Sequence, residues 1–205
     1  MVVLRARATT SAGDRALLVG VVAETTGIAR AEVEVARQCA RCGGDHGRPV
    51  LVHCGERGVE GIDLSLSRAG RSVAIAVSFA GPVGIDIESV VAASRAALDD
   101  VAFGPAERER LAGSDRSPAL RTAMWTAKEA VLKATGDGLH VDPRELEVSF
   151  AGRMRGAPPS PALVGWPGAP VPIAAFQLSS LDAGPGLVGT IAVIADARPD
   201  IRQVG

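Results

Sequence analysis

The chain has 205 residues, 47% of them hydrophobic and 22% charged, so it can bury its own core without a disulfide or metal framework. Aromatics are 3% and tyrosine is absent, which leaves Val, Leu, Ile and Ala to fill that core. A formal charge of -1 argues against a protein that neutralises nucleic-acid phosphates wholesale and leaves a local basic cluster as the route to a phosphorylated ligand.

The first fifteen residues, MVVLRARATTSAGDR, run straight into a helical pattern and are expected to be mature chain containing the first strand. From Asp14, the apolar positions Leu17, Leu18, Val21 and Val22 follow helical spacing and stop at a glycine, predicting a helix to about Thr26. AEVEVAR then alternates as a strand. CARCGGDHGRPVLVHCGERG is expected to be a loop-rich stretch of Gly, Cys and His. GIDLSLS, RSVAIAVSF and VGIDIE are three short strands separated by turn residues. Beyond the polar stretch SVVAASRAALDD, PAERERLA predicts a short helix with Pro105 near its start. Ser117 and Pro118 open the strongest helix, PALRTAMWTAKEAVLKATG, closed by Gly136. ELEVSF is a further strand, the Pro-rich segment 157–172 is expected to be loop, and IAAFQLSS with GLVGTIAVIA forms a hairpin around LDAGPG. Helix followed by strands occurs twice. The expected fold is therefore α+β, made of two similar lobes at residues 1–90 and 91–205.

The longest apolar runs, ALLVGVVA and GTIAVIA, are well short of the roughly 20 residues that cross a bilayer, so no membrane segment is expected. Three cysteines without a secretory signal suit a reducing cytoplasm.

Two stretches carry chemistry. In VGIDIE, residues two apart face the same side, so Asp86 and Glu88 project together while Ile85 and Ile87 fill the other face. Two acids inside an apolar strand need a metal, a basic partner or a solvated cleft. In WTAKEAVLK, Glu129 and Lys133 are four apart and share a helix face, with Trp125 one turn earlier and Lys128 beside them. Alone, each stretch is equally well explained by a wet strand face or a solvent-facing helix pair.

Together, GIDIE and WTAKEAVLK resemble, in order and separation, the 4'-phosphopantetheinyl transferases, in particular the surfactin-synthetase-activating type with two lobes in one chain. FGPAERERL between them, GDGL after the helix, and HGRP and LSLSRAG upstream extend the resemblance over about residues 14–150. It implies the transferase fold, with two α/β lobes related by a pseudo-twofold axis and coenzyme A bound between them. It also implies transfer of the phosphopantetheine arm of coenzyme A to a serine of an apo acyl or peptidyl carrier protein. Asp86, Glu88 and Glu129 would hold Mg²⁺, Glu129 would help deprotonate the serine, and Lys133 would assist the departing phosphate. Arg15, Arg48 and Lys128 are the implied coenzyme A phosphate contacts. Where the family shows Ser-His-Ser this chain has Ser67-Arg68-Ala69, so Arg68 is expected to replace the missing imidazole. A monomer without a nucleic-acid partner is expected.

CARCGGDH places Cys39, Cys42 and His46 at C-x2-C-x3-H spacing, with His53 or Cys54 to close a zinc site; a metal-free loop leading into Gly-Arg-Pro fits as well. GPGLVG precedes a β-branched strand, not a helix, and is a hairpin turn; His140 is a lone loop histidine. The rival functions are another metal-dependent phosphoryl or nucleotidyl transferase using the same acids, and a zinc-knuckle binding module, which the shortage of aromatics disfavours.

Overall fold

A computed structural model describes residues 1–6, 11–39, 42–56, 58–96, 98–113, 118–151 and 160–204. Its first half contains β1 (Val2–Ala6), α1 (Ser11–Thr26), β2 (Val33–Gln38), β3 (Arg48–Cys54), β4 (Asp63–Ala69) and β5 (Ser72–Ser78). The second contains β6 (Val83–Ser89), α2 (Val90–Arg95), α3 (Leu98–Ala102), α4 (Pro105–Gly113), α5 (Pro118–Thr135), β7 (Glu147–Ala151), β8 (Ser160–Gly165), β9 (Phe176–Leu181), β10 (Leu187–Ile194) and β11 (Gln203–Val204). Ser117, expected to open α5, lies outside the described residues, as do positions 157–159 of the Pro-rich segment.

Both halves run strand, helix, two-stranded hairpin and two further strands. The sheet order β1-β5-β4 recurs as β6-β10-β9, with β11 added beside β1. Each helix lies on its half's sheet because its apolar positions share a face: Leu18, Val21 and Val22 in α1, and Ala127, Ala130, Val131 and Ala134 in α5. The small residues of α5 let it approach β6 closely. A Cβ added at Gly84 would sit 1.9 Å from the Ala130 carbonyl oxygen, so only glycine fits there.

Strands run through the stretch expected to be loop-rich and through the Pro-rich segment expected to be loop. Arg48–Cys54 pairs antiparallel with β2 from Val33↔Cys54 to Gln38↔Arg48, because its V-L-V core has strong β preference despite the Gly, Cys and His around it. Ser160–Gly165, within the Pro-rich segment, pairs with β7; Pro161 and Leu163 turn inward, and Pro161 costs little in a two-stranded ladder with a free edge.

The halves meet where β4 runs beside β6. Here side chains take the place of a backbone ladder. Ser65 Oγ accepts from the Ile85 N–H at 3.0 Å, Ser67 Oγ from the Ile87 N–H at 3.2 Å, and the Asp63 carboxylate from the Val83 N–H at 2.7 Å. β6, the last strand of the 1–90 segment, is thus laddered to β10 along Val83–Ser89 and reaches the first half through β4 side chains. No helix among the described residues is long and apolar enough to cross a membrane.

Candidate active site

The pleat of β6 sends Ile85 and Ile87 into the core and turns Asp86 and Glu88 toward α5 and β4. Asp86 is 3% exposed. Its Oδ1 accepts from Ser67 Oγ at 2.8 Å and from Lys133 Nζ at 2.6 Å. One turn up α5, Glu129 lies 3.9 Å from the same Nζ, as the four-residue spacing requires. Glu88 is half-buried and accepts a hydrogen bond from the Trp125 indole.

Charge is not balanced in this group. Three carboxylates share one ammonium, and burial pushes all three carboxyls above their ordinary range. For Asp86, burial outweighs the pull of Lys133 and the Ser67 hydrogen bond. Burial also leads for Glu88, reinforced by the neighbouring Asp86 charge. For Glu129 burial is again the main cause; Lys133 opposes it, and Asp86 and Glu88 add to it. Among the described residues, three buried side-chain polar atoms have no hydrogen-bond partner, and two of them are Asp86 Oδ2 and Glu129 Oε1. A buried carboxylate oxygen without a partner is costly, and a cation beside this pair would offset that cost. The donors are hard oxygens, which fit Mg²⁺. The group is not a closed cage: among the described residues, the group of three or more Cys, His, Asp or Glu side chains whose ligand atoms all lie within 4.8 Å of one another is Cys39, Cys42 and His46. Mg²⁺ keeps water and phosphate oxygens in its shell, so it does not need a closed cage of protein ligands.

Lys133 stands where this acidic group meets a cleft of 740 Å³ between the halves. One wall comes from β2, β3 and β4; the other is the end of α5 and the Gly-Asp-Gly turn after it. Arg37, Arg48 and Arg68 line it, each held in place. Arg48 is paired with Asp63 and bonds the Leu64 carbonyl at 3.5 Å. Arg68 Nε donates to Asp14 at 2.6 Å, and Arg37 Nη1 to the Gly47 carbonyl at 2.9 Å. Gly136, at φ +82°, closes α5, and its Cβ position lies 3.6 Å from Arg48 Nη1, so the turn packs against that guanidinium. Three guanidiniums and an ammonium line the cleft, and forked donors on strands suit phosphate oxygens.

Of the cationic residues expected at phosphates, Arg48 and Arg68 are on the cleft wall. Arg15 is exposed on α1 and lines an adjoining cavity that shares Arg37 and Arg68 with the cleft. Lys128 does not reach the cleft. It is fully buried on another side of α5, and Nζ donates to the Ala102 carbonyl at 2.6 Å, to the Pro143 carbonyl at 3.0 Å and to Glu107. Glu107 in turn accepts from the N–H groups of Gly104 and Val148. This network ties α5 to α4 and β7. Arg37 was not singled out in the sequence; it enters the cleft through β2–β3 pairing, a contact between distant residues. His140, expected to be a lone loop histidine, lines the cleft while remaining exposed. Cys39, Cys42 and His46 come together, whereas Cys54 is buried in the core of the first half beside Val33 and Leu64.

Residues 82–158 match the family model of the 4'-phosphopantetheinyl transferase superfamily. That segment includes Asp86, Glu88, Glu129 and Lys133. Two curated relatives, each an uncharacterized protein YieE of Escherichia coli, one from strain K12 and one from O6:H1 strain CFT073, are 34% identical over 97 residues, 45% of this chain and 39% of theirs. The match thus spans about two fifths of the length of these relatives. A solved structure, holo-ACP-synthase from Plasmodium yoelii, superposes with a TM-score of 0.41 at 18% identity, covering 57% of this chain and 95% of that one.

Proposed function

We propose that the chain moves the 4'-phosphopantetheine arm of coenzyme A onto a serine of an apo acyl or peptidyl carrier protein and releases adenosine 3',5'-bisphosphate. The observation that carries the proposal is the pair of buried, unpartnered oxygens, Asp86 Oδ2 and Glu129 Oε1, at the edge of an arginine-lined cleft. A pyrophosphate in that cleft would bring its charge to Arg37, Arg48, Arg68 and Lys133, and Asp86, Glu88 and Glu129 would hold a cation beside Lys133. The family match over residues 82–158 supports the same reaction class.

Asp86, Glu88 and Glu129 would hold Mg²⁺, which supplies Lewis-acid neutralisation of the phosphate oxygens when bound. The arginines orient the pyrophosphate. Glu129, directly or through a water, takes the proton of the incoming serine hydroxyl. The serine oxygen bonds to the phosphorus that carries pantetheine, the P–O bond to the adenosine portion breaks, and that oxygen leaves with the electron pair. Lys133 stabilises the charge that develops there. Recurrence of sheet order in the two halves supports a pseudo-twofold relation between them, with the cleft at the junction.

The test is intact-mass measurement of a generic apo carrier protein incubated with the enzyme, coenzyme A and Mg²⁺, with nucleotide analysis of the supernatant. A mass gain of one phosphopantetheine with equimolar adenosine 3',5'-bisphosphate is expected. Turnover of coenzyme A to a different nucleotide, with the carrier unchanged, would make this another phosphoryl or nucleotidyl transferase.

A further inference from the structure

The hairpin between β2 and β3 gathers three soft ligands that the proposed reaction does not use. Cys39 follows the last residue of β2, and His46 lies two residues before Arg48 opens β3. The side-chain ligand atoms of Cys39, Cys42 and His46 lie within 4.8 Å of one another, with Cys42 Sγ 3.1 Å from His46 Nε2. Cys42 and His46 are exposed, so burial does not force them together. Their convergence comes from the backbone. The Cys39 N–H donates to the Gly44 carbonyl at 3.0 Å and the Gly43 N–H to the Cys39 carbonyl at 2.9 Å, folding the loop into a closed knuckle. Glycine is required where the knuckle closes: Gly47 has φ +98°, and a Cβ there would lie 2.7 Å from the Gln38 carbonyl oxygen. At Gly44 a Cβ would press on both Cys42 Sγ and the His46 ring, at 3.2–3.4 Å.

We propose that Cys39, Cys42 and His46 bind one Zn²⁺ at the lip of the cleft. Two thiolates and an imidazole are the donor set that selects zinc over Mg²⁺. In a tetrahedral site, Zn–S and Zn–N bond lengths place S and N roughly 3.6 Å apart, so Cys42 and His46 need to separate by about half an ångström. The group counts three such ligands among the described residues, and Cys54, buried in the core, is not the fourth. Water or an anion from the cleft completes the shell, since Cys39 and His46 both line it. The ion's effect is to hold Cys39 against the turn at residues 42–47. Gly47 receives the Arg37 guanidinium, and Arg48 follows it directly, so the knuckle sets the position of two of the three cleft arginines. The site stands whether or not the cleft carries out the proposed transfer.

The test uses metal itself. Protein purified under reducing conditions without chelator is expected to contain one zinc per chain by elemental analysis. After its removal, Co²⁺ titration is expected to produce the intense visible bands of tetrahedral thiolate coordination, saturating at one equivalent. Competition with a chromophoric chelator gives the zinc affinity of the unaltered chain and depends on no variant. Cys42→Ser and His46→Ala are each expected to weaken zinc at least about tenfold and to abolish the cobalt bands, while Cys54→Ser keeps them. Zinc should also slow amide hydrogen exchange across residues 42–48. Absence of zinc together with absence of cobalt bands, or bands that survive Cys42→Ser and His46→Ala, would overturn the proposal.

Discussion

Helix α5 carries two lysine–acid pairs, and they are opposites. Lys128 and Glu107 form a closed unit in which every Lys128 proton and both Glu107 oxygens have protein partners. Lys133 with Asp86 and Glu129 is open: one ammonium faces several acids, and two buried oxygens have no partner. Burial alone does not separate the two pairs, because Asp86 is nearly as buried as Glu107. Satisfaction does. A saturated ion pair ties elements together, whereas an unsaturated one beside a cleft is arranged for something that arrives.

The most severe break in this comparison should come from the open pair. Asp86→Ala or Glu129→Ala should lower carrier modification by about 10³-fold or more, read by intact mass, with Tm changed by a few degrees at most. Lys128→Met should do the reverse, leaving a buried carboxylate alone at a cost of about 3–5 kcal/mol. At roughly 2–4 °C per kcal/mol this is a loss of about 6–20 °C by calorimetry. Adding Glu107→Gln should recover part of it, because the glutamine carbonyl still accepts from Gly104 or Val148.

Smaller effects sharpen the boundary between them. Arg48→Ala should weaken coenzyme A about tenfold, and less at high salt, as expected of a partly exposed charge on a phosphate. Arg68→His should bind coenzyme A with the parent's affinity at acidic pH and lose it as pH rises through the imidazole range near 6.5. The smallest effect concerns pH and metal-free stability. Asp86, Glu88 and Glu129 have carboxyls raised by burial, so between the ordinary carboxylate range near 4 and their folded values the folded state holds more protons than the unfolded one. Their contribution is present at low pH and lost as pH rises through the raised values. In chelator, Glu129→Gln should therefore be more stable than the parent at neutral pH by on the order of 1 kcal/mol, with the difference vanishing near pH 4 in thermal melts.

The acidic half of the site was legible because strand and helix periods are local. Alternation in VGIDIE separates Asp86 and Glu88 from the isoleucines, and four-residue spacing pairs Glu129 with Lys133. The same helical period held a warning about Lys128. Lys128 and Lys133 are five residues apart, about 140° around a helix, so they could not both face the cleft. What was not legible depends on contacts between distant residues: Glu107 under Lys128, Arg37 brought in by β3, and the Ser65 and Ser67 hydroxyls that join β4 to β6. The β3 and β8 strands were hidden by Gly-, Cys- and Pro-rich surroundings, although one holds the run V-L-V and the other alternates Pro161 and Leu163 with outward residues.

The contrast between the two faces of α5 is tested most directly by calorimetric titration of Mg²⁺ into metal-free protein saturated with coenzyme A, run in parallel on the parent and Glu129→Gln. A divalent site built on Asp86, Glu88 and Glu129 predicts saturable binding in the parent and affinity at least about tenfold weaker in Glu129→Gln. Equal Mg²⁺ affinity in the two proteins would contradict it.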